Sequence, residues 1–280
     1  MSNSNKPADS DSGIAGIANR FVAARRQHRA LDEFPGTLPA TLEDAYRCQD
    51  RAIKSWPDDI GGWKVGMIGG QFQIKYKTDR LVGPIFRSSI VFNIDHAVNR
   101  VPVFINGFGA VEAEFVFRIG KDAPGDKIEW TRDEAVDLVE SLHAGVEIAS
   151  SPLATINDLG PASIISDFGN NNGLIVGASI DHWSRRLDES LICSTTIDDM
   201  PVGTGNATSI PGGPMSSLMF ALSMCASRGF PLRAGQYVCT GAVTGVHRIF
   251  VQQRAHITFA DIDAFQCLAV ASGAEKPANP

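Results

Sequence analysis

The 280-residue chain lacks most of the signatures that assign a function at sight. No apolar run approaches the roughly 18 to 20 residues that span a bilayer as a helix. Residues 1–13 are rich in Ser, Asn and Asp and contain no apolar stretch of the kind a secretory signal needs, so they read as a disordered lead-in. The five cysteines (Cys48, Cys193, Cys225, Cys239 and Cys267) are odd in number, widely spaced and without a Cys-x-x-Cys pair. That pattern argues against a disulfide frame or a zinc site and suits buried free thiols in a reducing cytoplasm. The six histidines form neither His-x-His nor His-Glu-x-x-His, which leaves little to hold zinc. No Gly-x-Ser-x-Gly elbow is present, and no cysteine has a histidine beside it. A net charge of −6 and the want of any Lys/Arg-rich run give no nucleic-acid footprint. The pairs Arg25-Arg26 and Arg185-Arg186 read as solvated helix or turn positions. There is no internal repeat and no dinucleotide fingerprint, since Gly107-Phe108-Gly109 and Gly203-Thr204-Gly205 are isolated Gly-x-Gly pieces.

What is present is an ordinary globular balance, 44% hydrophobic and 20% charged, on a chain long enough for a large core. Residues 14–60 form a helical segment. Ile17, Ala18, Phe21 and Val22 recur at helical spacing, and Phe34-Pro35-Gly36 interrupts the run. Thr41 is placed to cap a second helix, with Glu43 and Asp44 in its first turn and Pro57 ending it. From residue 61 to 271 strands dominate, and residues 272–280 read as a tail. Residues 63–68 form a strand carrying Lys64. Residues 82–86 read as a turn into a short strand. A capping box, Thr131 with Glu134, opens a helix whose buried stripe extends through Leu142 and ends at Gly145. A hairpin turns at Asp198-Asp199, a helix starts at Pro214, and one or two strands close the chain over residues 254–270. The sum is α+β: a β-dominated core, without repeated βαβ units, behind a small N-terminal helical layer.

The stretch from Gly109 to Gly120 stands out. Val111, Ala113, Phe115, Phe117 and Ile119 alternate with Glu112 and Glu114, so both carboxylates leave one face of a single strand. They are either a wet strand face or, since neighbouring anions resist ionising together, ligands of a cation. Glu147 is a lone acid in the apolar run Val146-Glu147-Ile148-Ala149, where unpaired burial is expensive. An all-oxygen set of this kind suits Mg²⁺ or Mn²⁺. Lys64 has two readings, an edge-strand lysine reaching water or a cation facing the same cavity as the glutamates. Residues 166–173, rich in Asn and Gly, read as a surface turn.

Several segments, in order and over nearly the whole chain from about residue 40, resemble the fumarylacetoacetate hydrolase superfamily. They are Gly62-Trp63-Lys64-Val65-Gly66, Gly83-Pro84-Ile85-Phe86, Val111-Glu112-Ala113-Glu114-Phe115, Val146-Glu147-Ile148, residues 167–173, Gly203-Thr204-Gly205-Asn206, Leu232-Arg233-Ala234-Gly235 and residues 240–245. The likeness is to the branch of 2-keto-4-pentenoate hydratases and 2-oxo-acid decarboxylases. It implies a mixed β-roll or barrel core and a homo-oligomer, with association to a pathway decarboxylase or hydratase as a further expectation. It also implies a divalent metal on Glu112, Glu114 and Glu147, Lys64 as an active-site lysine, and Asp167, Asn170 and Thr244 along the substrate pocket. The implied activity is addition of water to a short 2-hydroxydienoate or 2-oxo-enoate in the meta-cleavage breakdown of aromatic compounds. A decarboxylase of 2-oxo-dioates, an acylpyruvate hydrolase using His96, and a non-catalytic partner subunit are the alternatives. Two segments depart from the family pattern. Asp79-Arg80-Leu81-Val82 stands where an acid and a proline are usual, leaving Asp79 as the catalytic acid of that position, and Ser209-Ile210-Pro211-Gly212-Gly213 is enlarged.

Overall fold

In the N-terminal layer, α1 (Asp11–Arg26) and α2 (Leu42–Ser55) each carry one apolar face: Ile14, Ile17, Phe21 on the first and Ala45, Cys48, Ala52 on the second are buried. Thr41 caps α2 by accepting the amide of Asp44, as its sequence position predicts. The structure is a computed structural model that describes residues 11–95, 97–186 and 191–274. Helix α1 begins at Asp11, so the lead-in expected to extend to residue 13 is already helical over its last three positions; residues 1–10 lie outside the described part.

The strands, in chain order, are β1 (Ile60–Met67), β2 (Arg80–Phe86), β3 (Ile90–Phe92), β4 (Val98–Val103), β5 (Phe108–Ile119), β6 (Val139–Ser151), β7 (Asn171–Ser179), β8 (Cys193–Ile197), β9 (Met200–Gly205), β10 (Tyr237–Cys239), β11 (His247–Arg248), β12 (Arg254–Phe259) and β13 (Asp263–Ala271). Between them lie α3 (Gly70–Tyr76), α4 (Arg132–Val136), α5 (Pro161–Ser166), α6 (Trp183–Arg186) and α7 (Gly213–Ser227). One mixed sheet runs β2-β1-β10-β5-β6-β7-β3, with β11 added on β5. A second runs β4-β13-β12-β8-β9. The curled, mixed sheet behind a helical layer is the β-roll architecture the sequence led us to expect. Phe115 of β5 meets Phe259 of β12 edge to face at 5.6 Å between centroids, so the main core lies between the two sheets. All five cysteines are free and buried. No helix among the described residues is long and apolar enough to cross a membrane.

Two local expectations are corrected. The helix opened by the Thr131–Glu134 capping box stops at Val136, and residues 139–151 are strand β6, with Gly145 inside it rather than at a helix end. Leu142, Ala144, Val146 and Ile148 face the core opposite Phe117, Phe115, Ala113 and Val111. Pairing along the whole of β5 overrides a short apolar pattern that fits either period. Likewise, residues 82–86 are not a turn but belong to β2, buried throughout. Pro84 is tolerated because β2 ends the sheet, where a missing amide donor costs no ladder bond.

Candidate metal centre and its cavity

The register of β5 on β6 creates the site. Glu112 stands directly opposite Glu147, and Glu114 opposite Gly145, so the alternation sends all three carboxylates to one face, away from the inter-sheet core. Like charges directly opposed across a strand pair are destabilising. Glu112 is 5% exposed, while Glu114 and Glu147 are fully buried. One oxygen from each lies within 4.8 Å of the others. At that separation each ionised pair repels by about 3 kcal/mol or more at an effective dielectric constant of about 20.

The structure supplies one cation. Lys64 sits on β1, two strands from β5, and its ammonium is 3.4 Å from Glu147 Oε2, long for a hydrogen bond but within ion-pair range. Strand β1 lies between β2 and β10, and Lys64 is 4% exposed, so the edge-strand reading is excluded. Lys64 can reach the glutamates because the intervening β10 ends at Cys239. Beyond it the chain turns, and the Gly241 amide donates to Glu114 Oε2 at 2.7 Å. Asn171 Nδ2 donates to Glu147 Oε1 at 2.9 Å. Glu114 Oε1 and Glu147 Oε2 accept no hydrogen bond. Three carboxylates against one ammonium leave an excess of two negative charges when all are ionised.

Protonation responds accordingly. Burial, then Glu147, pushes Glu112 up to about 7 despite Lys64. Burial, then Glu147 and Glu112, holds Glu114 well above the usual carboxylate range. Burial opposes the charge on Lys64, but the attraction of Glu147, Glu112 and Glu114 together outweighs it and keeps the amine protonated beyond its ordinary range. A buried set of oxygens in which Glu114 Oε1 has no partner, Glu147 Oε2 has only the ion pair to Lys64, and negative charge is relieved by retained protons is what a divalent cation satisfies, and these residues fit one.

A cavity of about 490 Å³ opens over this face. Lys64 and Glu112 are on its wall together with Asn157 and Asn170. Asn170 gives its amide to Asn157 Oδ1 at 3.1 Å, and its own buried Oδ1 has no partner. Residues 168–170 form a tight turn with Phe168, Gly169 and Asn170 all at positive φ. Gly83 of β2 packs on that turn so closely that a Cβ there would lie 2.3 Å from the Phe168 carbonyl oxygen. That contact explains the glycine of the Gly83-Pro84-Ile85-Phe86 segment.

The remaining site expectations separate. Asp167 is not on the cavity wall. Its carboxylate is turned to Arg25, with Nε to Oδ1 at 2.5 Å and Nη2 to Oδ2 at 3.0 Å, and Ser151 Oγ donates to Oδ2 at 2.5 Å. Thr244 is also off the wall: its hydroxyl pairs with Thr195 Oγ1 at 2.9 Å and His247 Nε2 at 3.1 Å, although the adjacent Gly245 and Val246 line the cavity. Asp79, half exposed, is ion-paired to Arg80 at 2.5 Å and has no place on the wall. Arg80 Nη2 also donates to the Pro211 carbonyl, so the two departing segments are tied to each other. His96 lies outside the described residues.

Arg25 corrects the expectation of a solvated pair. It is 5% exposed and also donates to the carbonyls of Ser150 and Asn171 at 3.0 and 2.9 Å, with the ring of Phe168 5.3 Å beneath its guanidinium. Its position was readable: Ile14, Ile17, Phe21 and Arg25 recur every three or four residues, which puts Arg25 on the buried face. Asn171 and Gly241 carried no such signal, because their roles arise only from pairing across the sheet.

No protein-family profile matches the chain. Two 2-keto-4-pentenoate hydratases, from Paraburkholderia xenovorans (strain LB400) and Pseudomonas putida, are each 29% identical over 147 residues, 51% of this chain and 52% of theirs. The chain thus spans about half the length of the curated relatives it matches. A 4-oxalocrotonate decarboxylase from Pseudomonas putida G7, solved with magnesium and adipate, superposes with TM-score 0.75 at 16% identity, over 93% of this chain and 98% of that one. A fumarylpyruvate hydrolase from Pseudomonas aeruginosa, solved with Mn²⁺ and pyruvate, gives 0.55 at 14% identity, over 78% and 94%. The fold is theirs, in keeping with the resemblance drawn from the sequence.

Proposed function

We propose that this chain, built on the fold of the fumarylacetoacetate hydrolase superfamily, is a hydratase of short 2-hydroxydienoates or 2-oxo-enoates that depends on Mg²⁺ or Mn²⁺. The observation that carries the reading is the buried cluster of Glu112, Glu114 and Glu147 with Lys64 as its cation, which Lys64 and Glu112 connect to the wall of one cavity. The glutamates would hold the metal, whose chemistry when bound is to polarise a 2-oxo acid and stabilise negative charge developing on it. Lys64, held protonated by the three glutamates in the metal-free protein, would offset the substrate carboxylate. Asn170 is on the cavity wall, and its buried, unpartnered Oδ1 would become an acceptor for the attacking water or the substrate 2-hydroxyl once a ligand draws it out. In the reaction a proton passes from the 2-hydroxyl to C5, leaving a C3=C4 bond conjugated with the 2-oxo group. Water then adds its hydroxyl to C4 and its proton to C3, giving a 4-hydroxy-2-oxo acid. Such a step belongs to meta-cleavage breakdown of aromatic compounds, and we place the protein in the cytoplasm as a homo-oligomer, which sedimentation would test.

A second reading, decarboxylation of a 2-oxo-dioate, is favoured by the high coverage of the superposition on the oxalocrotonate decarboxylase. Both reactions pass through stabilised enolate charge, so products separate them. Purified protein with Mg²⁺ should remove the dienol ultraviolet absorbance of 2-hydroxypenta-2,4-dienoate without releasing CO₂. CO₂ from a dioate with no loss of the mono-acid dienol would replace the hydratase by the decarboxylase. Glu147→Ala should lose metal and turnover while the assembly stays intact, an outcome a non-catalytic subunit would not give.

A further inference from the structure

We infer that the cavity takes 2-oxo acids with an uncharged, apolar tail and discriminates against dioates; this rests on the metal-held 2-oxo acid head proposed above. Among the described residues on the wall, only Lys64 and Glu112 are charged. Lys64 is drawn to the three glutamates and is the one cation available to the head carboxylate. The rest of the wall is made largely by Met67, Ile68, Phe72, Leu81, Ile164 and Val246. Phe72 is held in place: it lies against Gly160, where a Cβ would be 2.6 Å from its ring.

Arg80 is turned to Asp79 and the Pro211 carbonyl, and Arg25 to Asp167, so neither offers a guanidinium to a ligand in the cavity. His247, next to Val246, is half-buried on Thr244, and burial lowers its tendency to take a proton. A terminal carboxylate would therefore meet apolar side chains and the amides of Gln71, Asn157 and Asn170, with no cation beside it. Withdrawing a charge from water without a partner is strongly unfavourable, whereas each methylene placed against these walls strengthens binding by about fourfold.

Isothermal calorimetry on the full chain saturated with Mg²⁺ tests this with matched pairs, 2-oxopentanoate against 2-oxoglutarate and 2-oxohexanoate against 2-oxoadipate. The mono-acids should bind at least about tenfold more tightly than their dioate partners, a small part of what an unpaired buried charge costs. Affinity should also rise from 2-oxobutanoate to 2-oxohexanoate. Val246 is 51% exposed, so Val246→Lys can be made without disturbing the core, and it should narrow or reverse the preference. Dioates binding as tightly as mono-acids would overturn the tail inference while leaving the head reading intact. No binding of any 2-oxo acid by the metal-loaded protein would remove the head reading and this inference together.

Discussion

Replacing Arg25 by methionine removes a charge from the interior while keeping much of the side-chain volume. The guanidinium and the Asp167 carboxylate are 4% and 0% exposed, and four acceptors besides that carboxylate, the Asp167, Asn171 and Ser150 carbonyls and Asn172 Oδ1, receive its N–H groups. Breaking such a pair from one side leaves Asp167 with the Ser151 hydroxyl alone, at a cost of about 3–5 kcal/mol. For a chain of 280 residues that lowers Tm by about 5–9 °C. Adding Asp167→Asn should restore part of the loss, because the lone buried anion is then gone; the double-mutant cycle should show a coupling of about 2 kcal/mol or more. The consequence reaches the metal centre through Asn171, whose carbonyl accepts from Arg25 and whose amide holds Glu147. Mg²⁺ affinity measured by calorimetry should drop by roughly 10- to 100-fold, the usual effect of losing a group that orients a ligand. A Tm shift under about 2 °C, or strict additivity in the cycle, would refute the argument that this pair is a buried clamp.

Glu114→Gln should act with opposite signs on two properties: near neutral pH the metal-free protein gains Tm, because the crowded, buried acid must keep a proton that the unfolded chain releases and glutamine need not, while divalent binding and turnover collapse; a lower metal-free Tm would count against the repulsion argument. The metal-free protein should also become less stable as pH rises from 4.5 to about 7, because over that window folded Glu112 keeps a proton that the unfolded chain has released. Thermal melts in chelator should show this slope reduced in Glu112→Gln but not abolished, because Glu114 also keeps its proton over the window, and added Mg²⁺ should release protons on binding. Gly83→Ala, with its Cβ driven against the Phe168 carbonyl, should cost about 1–3 kcal/mol in denaturant melts and weaken 2-oxo acid binding through displacement of Asn170.

The chain's own pattern determined a good deal. Alternation along Val111–Ile119 placed Glu112 and Glu114 on one strand face, Thr41 and Thr131 marked helix starts, and Glu147 in an apolar run announced a buried acid, because these signals are local and set by backbone periodicity. Resemblance then connected the three acids with Lys64. Other features depended on partners distant in sequence. Helix against strand over residues 137–145 was decided by pairing with β5, and the meeting of Lys64 with Glu147 by the early end of β10 between their strands. Arg25 and Asp167 are 142 residues apart, so neither sequence neighbourhood could reveal that the second serves the first rather than the cavity. Local sequence determines which side chains share a face. Only tertiary structure decides which faces meet, and hence that one ammonium faces three carboxylates beside a largely uncharged wall.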